Sequence, residues 1–408
     1  MKLLTNQYLV LLFLSFSFFL FLPSLIFVVG QQSSYATGIL LTSVVIILFL
    51  NSIFGYIVIT RPLVYLYILI LILFHSLIVY IFFYEIDLKR ILGTLAIFSI
   101  LIFAIFSFLK LIYLTPDNYF KITVVNLFYV LIFLGILDAA FGITPFNQYS
   151  ALGKPIFPFM EPSHFAIIIS PFYLFYNFID NSNWRKVISL LLGIIFLLFV
   201  SNLTFLVVLI LPFTFKFNRR NFFLLFPLFV IMMFSLFFLI NSDFSEYYLN
   251  RISFNNNNLS TLVWLQGWEE SYYNMHSTNF VGIGFQQLGV KPPVGEYGNL
   301  IFDIIGYYLN RYDGGTFGSK LLSEFGLIGA FLIFYFITAI YKSYRSIKFD
   351  RSNLESKSIF FHCCIFSFII ELFVRSTSYL GPGFLMFLIG YIGIGSLKYN
   401  LLKSWRRN

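Results

Sequence analysis

Cysteine is almost missing from this chain. Cys363 and Cys364 are adjacent in an apolar run with no other thiol to pair with, so no disulfide framework exists. Charge is scarce too: Asp, Glu, Lys and Arg make up 11% of the 408 residues, and none occurs between Lys2 and Arg61. A chain so poor in charge is neither a water-soluble domain nor a disordered segment. No glycine-rich phosphate loop of Walker type is present, and the polar loops are too short for a nucleotide domain. No repeat of fixed period occurs, and Asn255 to Asn258 is a small low-complexity patch that suits a flexible turn.

What the chain does hold is apolar and aromatic: 59% hydrophobic residues, 57 Phe and 27 Tyr, with a mean hydropathy of +0.88. These values describe a membrane protein. Met1-Lys2 followed by an apolar stretch to residue 29 resembles a signal peptide. The stretch is too long and lacks a small-x-small site near Gln31, so it reads as an uncleaved first span.

Apolar runs bounded by charge or turn residues fall near 8–29, 38–59, 63–84, 91–109, 122–143, 163–179, 221–240, 321–341, 359–375 and 384–397. Residues 187–215 form one further run, which as a single helix would be about 44 Å long against a hydrocarbon core of about 30 Å. Ser201, Asn202 and Thr204 sit at its middle, where a hairpin would turn. Counting the run as two spans gives twelve and puts both termini in the cytoplasm. It also leaves 18 of the 26 cations inside, from Lys2, Arg61, Lys110 and Lys121 to Arg406 and Arg407. The outer side then keeps 13 of the 17 carboxylates, so the +9 net charge is explained by topology and anionic lipid without nucleic acid. The expected fold is an all-α polytopic membrane protein. Its parts are nine helices in residues 1–240, a large outer loop in 241–320, and three helices with a cytoplasmic tail in 321–408.

That outer loop holds eleven charged groups, whereas every other loop is short. Long ordered loops are usually functional. A second polar concentration runs from Lys154 to His164, where Pro155, Pro158 and Pro162 prevent regular helix until Pro162-Ser163 opens the sixth span. Glu161 and His164 then sit on one turn at the mouth of that span, beside its positive dipole end. The plainer alternative is that Glu161 simply caps the helix.

Three motifs resemble a known family. Glu161-Pro162-Ser163-His164-Phe165-Ala166 resembles the Glu-Pro-Ser segment of bacterial O-antigen and capsule repeat-unit polymerases. The stretch Arg251 to Gly289, with Trp264, Gly267 and Gly282-Ile283-Gly284-Phe285-Gln286-Gln287-Leu288-Gly289, is similar to the outer loop of the O-antigen ligase and polymerase superfamily. Glu324-Phe325-Gly326-Leu327-Ile328-Gly329 looks like the motif that opens the following span. Ligases of that superfamily, and several of its polymerases, carry a His-Asn pair shortly before this motif, whereas the chain reads Asp313-Gly314-Gly315-Thr316, a departure that favours polymerase over ligase and leaves the base unassigned by the resemblance.

The resemblance implies a GT-C-like glycosyltransferase in the bacterial inner membrane with its active site facing the periplasm. It would transfer a growing glycan from undecaprenyl diphosphate to the non-reducing end of a new lipid-linked repeat. Its implied partners are lipid-linked repeats, membrane lipid, a chain-length regulator and a flippase. Such chemistry needs cations for the leaving pyrophosphate and a base for the attacking hydroxyl. Among the cations, Arg251, Arg311, Lys320 and Arg375 are the pyrophosphate candidates, because Arg fits phosphate oxygens with paired hydrogen bonds and Lys320 flanks the loop at its membrane end. For Arg375 an i,i+4 salt bridge with Glu371 is the structural alternative.

Glu161, His164, His276 and Glu324 are the candidate bases; His75 and His362, inside apolar spans, read as packing residues. Trp264, Trp268, Tyr272 and Tyr273 offer faces for sugar rings, although membrane-interface packing explains each equally well. Glu85-Ile86-Asp87 has an acid-x-acid form, but Lys89 and Arg90 offset it, so neither metal nor other cofactor is expected. The rival readings are an O-antigen ligase, a lipid-linked oligosaccharide flippase and a structural membrane anchor. Flippases bind near the bilayer midplane, and the charge-poor spans here argue against that.

Overall fold

The structure is a computed structural model that describes residues 5–30, 35–55, 62–83, 86–141, 156–159, 161–180, 183–199, 202–216 and 258–398. The span expected over 221–240 and the candidate Arg251 lie outside the described residues. Among the described residues the regular elements are helices. They run α1 (Thr5–Val29), α2 (Ala36–Phe54), α3 (Pro62–Phe83), α4 (Leu88–Leu114), α5 (Asp117–Phe141), α6 (Pro162–Phe178), α7 (Asn183–Phe199), α8 (Leu203–Ile210), α9 (Phe213–Lys216), α10 (Leu259–Ser277), α11 (Glu296–Ile305), α12 (Phe317–Phe349), α13 (Ser356–Phe373) and α14 (Pro382–Lys398). Seven of them, α1 to α5, α12 and α13, are long and apolar enough to cross a membrane, so the chain is a polytopic membrane protein.

At the centre stands α6, buried from Ser163 to Phe178. A helix apolar on every side has no face to give to solvent and packs all round. Phe172 and Phe175 meet Phe360 of α13 at 5.4 and 5.7 Å between ring centroids, and Phe16 of α1 meets Phe360 at 5.6 Å. Pro171 removes a backbone donor inside α6, and the Ser170 hydroxyl donates to the Ile167 carbonyl at 2.8 Å, occupying one carbonyl near the break.

The run 187–215 is folded back on itself. Phe196 of α7 and Phe205 of α8 have ring centroids 4.4 Å apart, and a Cβ at Gly193 would lie 2.2 Å from Leu209 Cδ2. In one straight helix Phe196 and Phe205 would be about 13 Å apart along the axis. Asn202 stands at the turn and accepts from Phe205 N at 2.9 Å, the N-cap that starts α8. The tip reaches the Glu161 end of α6, where Phe196 meets Phe165 at 5.1 Å. The return limb ends where Phe215 meets Phe178 at 4.5 Å. The two limbs therefore run the length of α6 and back.

The polar contacts sort to two ends of the bundle. At one end Lys121 pairs with Asp180 at 2.6 Å, and Asp117 accepts from the Ser356 and Lys357 backbone N–H groups at 3.2 and 3.4 Å. There too Lys357 Nζ donates to Tyr113 O at 3.3 Å, and Tyr113 OH donates to Gly393 O at 2.6 Å. These contacts hold that end of α4, α5, α6, α13 and α14 at a common level.

Rising from it, α6, α13 and α14, with 17, 18 and 17 residues, reach only about 25–27 Å, whereas the 27 residues of α4 reach about 40 Å. The ring of Phe98, ten residues into α4, meets Phe384 near the start of α14 at 6.2 Å. The first turns of α4 therefore stand above the ends of the short central helices. The ends of α6, α13 and α14 thus form a floor set below the first turns of α4.

Candidate functional site

Glu161 and Arg375 lie on that floor. Arg375 Nη2 is 3.1 and 2.9 Å from the two carboxylate oxygens of Glu161, and Ser163 Oγ donates to Glu161 Oε2 at 2.8 Å. Backbone geometry makes Glu161 the N-cap residue of α6, but its side chain makes no capping bond and is drawn to Arg375 instead. The Glu371–Arg375 bridge weighed above does not form. Helix α13 ends at Phe373, which turns Arg375 away from Glu371. The Glu371 carboxylate lies against Gly381 and Gly383 at the start of α14 and accepts from Thr377 Oγ1 at 3.5 Å. Burial pushes the Glu161 carboxyl up, but the Arg375 guanidinium, His164 and the Ser163 hydroxyl overcome it and hold the group at about 2. Glu161 is thus a fixed anion. His164 lies beneath, with Nε2 3.9 Å from Glu161 and Nδ1 3.0 Å from Tyr35 OH, and Tyr35 is stacked on Phe27 at 4.7 Å.

The segment from Asn310 to Thr316 crosses the same floor. With its amide oriented to accept, Asn310 places its oxygen 3.0 Å from both Nη1 and Nη2 of Arg375. Gly315 O accepts from Ser376 N at 3.0 Å, tying this segment to the residue after Arg375. Asp313 faces Lys320, Arg375, Glu161 and Arg90; burial raises its carboxyl above the usual range, with Lys320 and Arg375 acting the other way.

Helix α12 then begins with a reversal. The rings of Phe317 and Phe336 are 6.0 Å apart, whereas 19 residues of unbroken helix would separate them by about 28 Å. Gly326, at φ 55 and ψ −128, makes the turn, so Phe317 to Phe325 runs back along the longer limb. Three helix starts, at Pro162, Phe317 and Pro382, consequently meet around the floor: Ile167 packs at Gly383, and Phe317 meets Phe384 at 4.8 Å. Each contributes the positive end of a helix dipole.

Two of the expected site residues are occupied elsewhere. Lys320 Nζ is 3.3 Å from Glu324 Oε1, and both side chains are 0% exposed. Lys320 also donates to Tyr312 O, while Glu324 accepts from Gln286 N at 2.9 Å and Leu288 N at 3.3 Å. Neither faces a ligand; the pair fastens the Gly282–Gly289 segment to α12. Ile283 N and Gly284 N complete this clamp on Ser323 O and Glu324 O at 3.0 and 2.9 Å. Two motifs separate in sequence are one structural joint.

Arg311 is likewise committed, donating from Nε to Gly289 O at 2.6 Å and from Nη2 to Val290 O at 3.1 Å. Its guanidinium and that of Arg90 both lie against Tyr312, at 5.0 and 4.6 Å from the ring centroid. His276 is exposed at the last turn of α10, beside Tyr272 at 6.3 Å, with no contact to Glu161 or Arg375. Trp264 donates to Phe373 O at 2.9 Å and meets Trp268 edge-on at 6.2 Å, so both are packed against the bundle; Tyr272 and Tyr273 are exposed. His75 and His362 are packing residues with one nitrogen bonded, to Val281 O at 3.0 Å and Ser343 Oγ at 3.2 Å.

Asp313, Asn310, Tyr35 and Glu270 were not among the residues expected from sequence. The glycine pair after Asp313 is a turn signal that could have marked it; nothing marked Tyr35. Glu270, in α10, is buried with Oε2 lacking a hydrogen-bond partner among the described residues, and burial raises its carboxyl to about 7. Among the described residues no set of three His, Cys, Asp or Glu gathers as metal ligands. Compared with known proteins, the chain matches no family model, no curated protein and no solved structure.

Proposed function

We propose that the chain is a polymerase of undecaprenyl-diphosphate-linked glycan repeats, of the O-antigen or capsule type, working at the outer face of the bacterial inner membrane. In this reading it has twelve spans in a GT-C-like arrangement. The observation that carries the proposal is Arg375, held by Glu161 and Asn310 on a floor where three helix starts converge. Such a site offers a guanidinium and the positive ends of three helix dipoles to a diphosphate at one end of the bundle. Arg375 keeps its Nε–H edge without a protein partner among the described residues, and that edge is the donor offered to phosphate oxygen.

The acceptor hydroxyl oxygen attacks C1 of the donor sugar while the bond from C1 to phosphate oxygen breaks. The electron pair leaves with the lipid diphosphate, whose growing charge Arg375 and the helix dipoles stabilise. Glu161, ionised down to low pH, is unsuited to accept the proton and acts as the positioning partner of Arg375. The contacts also support one-sidedness: Lys110, Lys121 and Lys357, assigned inside from sequence, bond at the end opposite Arg90, Arg311 and Arg375.

The test is the glycan pattern of a deletion strain complemented with wild type or Arg375→Ala. A single repeat on the lipid core in the deletion, restored to long ladders by wild type alone, is the expected result. No repeat on the core would indicate a ligase, and repeats trapped on the cytoplasmic leaflet a flippase.

A further inference from the structure

Asp313 differs from every other carboxylate on the floor. Glu161 is bonded to Arg375 and Ser163, and Glu371 to Thr377, whereas the Asp313 side chain makes no hydrogen bond or ion pair with any described residue. Its backbone is fixed on both sides. Asp313 N donates to Asn310 O at 3.0 Å, and Gly314 and Gly315, at φ 67 and 70, form a turn that Ser376 N anchors through Gly315 O. A Cβ at Gly315 would lie 2.7 Å from Val263 O, and one at Gly314 2.9 Å from a Leu288 methyl, so the turn is wedged and cannot swing. A carboxylate without a protein partner among the described residues is therefore carried on a fixed backbone beside the guanidinium proposed to take the leaving group.

Resting on the polymerase reading, we propose that Asp313 is the general base that takes the proton from the acceptor hydroxyl. In that step the O–H bond breaks as oxygen bonds to sugar C1, the proton moves to an Asp313 oxygen, and the lipid diphosphate departs with the electron pair of the broken bond. The acid then returns its proton to water. The charged groups facing Asp313 are Arg90 from α4, Glu161 at the mouth of α6, Lys320 from α12, Glu371 from α13 and Arg375 from the loop after α13. Burial raises the carboxyl, which brings its basicity toward the working pH.

The test uses full-length protein in the deletion strain, in membranes that accumulate its own lipid-linked repeats, and in nanodiscs with undecaprenyl diphosphate as the binding probe. Asp313→Asn should lower polymerisation by about 100-fold or more while binding undecaprenyl diphosphate as tightly as wild type or tighter. Asp313→Glu should recover part of the rate with a displaced pH profile. Arg375→Ala should lose probe binding. Polymerisation by Asp313→Asn within tenfold of wild type overturns the assignment, as does a loss of probe binding that parallels the loss of polymer. Failure of the deletion to change the glycan at all would overturn the polymerase reading and this inference together.

Discussion

Arg375 Nη2 sits 2.9 Å from Glu161 Oε2, joining the loop after α13 to the mouth of α6 across 214 residues of chain. Removing either partner leaves the other charge unpaired where the side chains are only 16% and 28% exposed, so Arg375→Ala or Glu161→Ala should destabilise by about 1–3 kcal/mol. The conservative Arg375→Lys, which loses the paired donors, should keep most of the stability and little of the polymerisation. Thermal unfolding in detergent and the glycan ladder separate the two effects.

The same pair sets an acid limit. A carboxyl held at about 2, below its usual 4.5, gives stability that is complete above about pH 4.5 and is lost as pH falls through 2. Wild type should therefore lose stability over this window more steeply than Glu161→Gln. Equal slopes in melting temperature against pH would refute the pairing.

Glu270 has the opposite sign. Raised to about 7 from 4.5, its carboxyl favours folding least once ionised, so its penalty develops as pH rises from about 4.5 and is complete above 7. Glu270→Gln should raise the melting temperature at pH 8, by at most about 3 kcal/mol of stability, and leave it unchanged at pH 4. A gain of equal size at both pH values would contradict this.

The buried Lys320–Glu324 pair is structural. Lys320→Met or Glu324→Gln alone should cost about 3–5 kcal/mol by stranding a buried charge or removing its partner, and the Lys320→Met/Glu324→Gln double variant should recover part of it. Gly326→Ala should be as damaging, because its Cβ would lie 2.0 Å from Phe280 O at a positive φ. Membrane-inserted yield and melting temperature read both.

Much of the architecture is legible in order and composition, because span length and charge placement follow from the bilayer itself. The turn before Asn202 is one example: a polar cluster within an overlong apolar run marked the hairpin that Phe196 and Phe205 close. The site was less legible. Lys320 and Glu324 have the residue types of a phosphate binder and a base, but i,i+4 spacing within a buried helix lets them satisfy each other. Arg375 has Glu371 four residues away, yet α13 ends between them, and the partner comes from a distant helix. Asp313 carries no motif, and its role depends on the folding-back of α12 at Gly326, a reversal that no hydrophobic period records.

For the proposed chemistry, the Glu161–Arg375 floor and the loop above it must face the outside. Single cysteines introduced as Tyr272→Cys in α10 and Ser352→Cys between α12 and α13 test this directly. Both positions are exposed, whereas the native Cys363 and Cys364 are 0% exposed and should stay silent. A membrane-impermeant maleimide added to cells with a permeabilised outer envelope should label Tyr272→Cys and leave Ser352→Cys unlabelled until the inner membrane is opened. Labelling of Ser352→Cys in intact cells, with Tyr272→Cys protected, would contradict it.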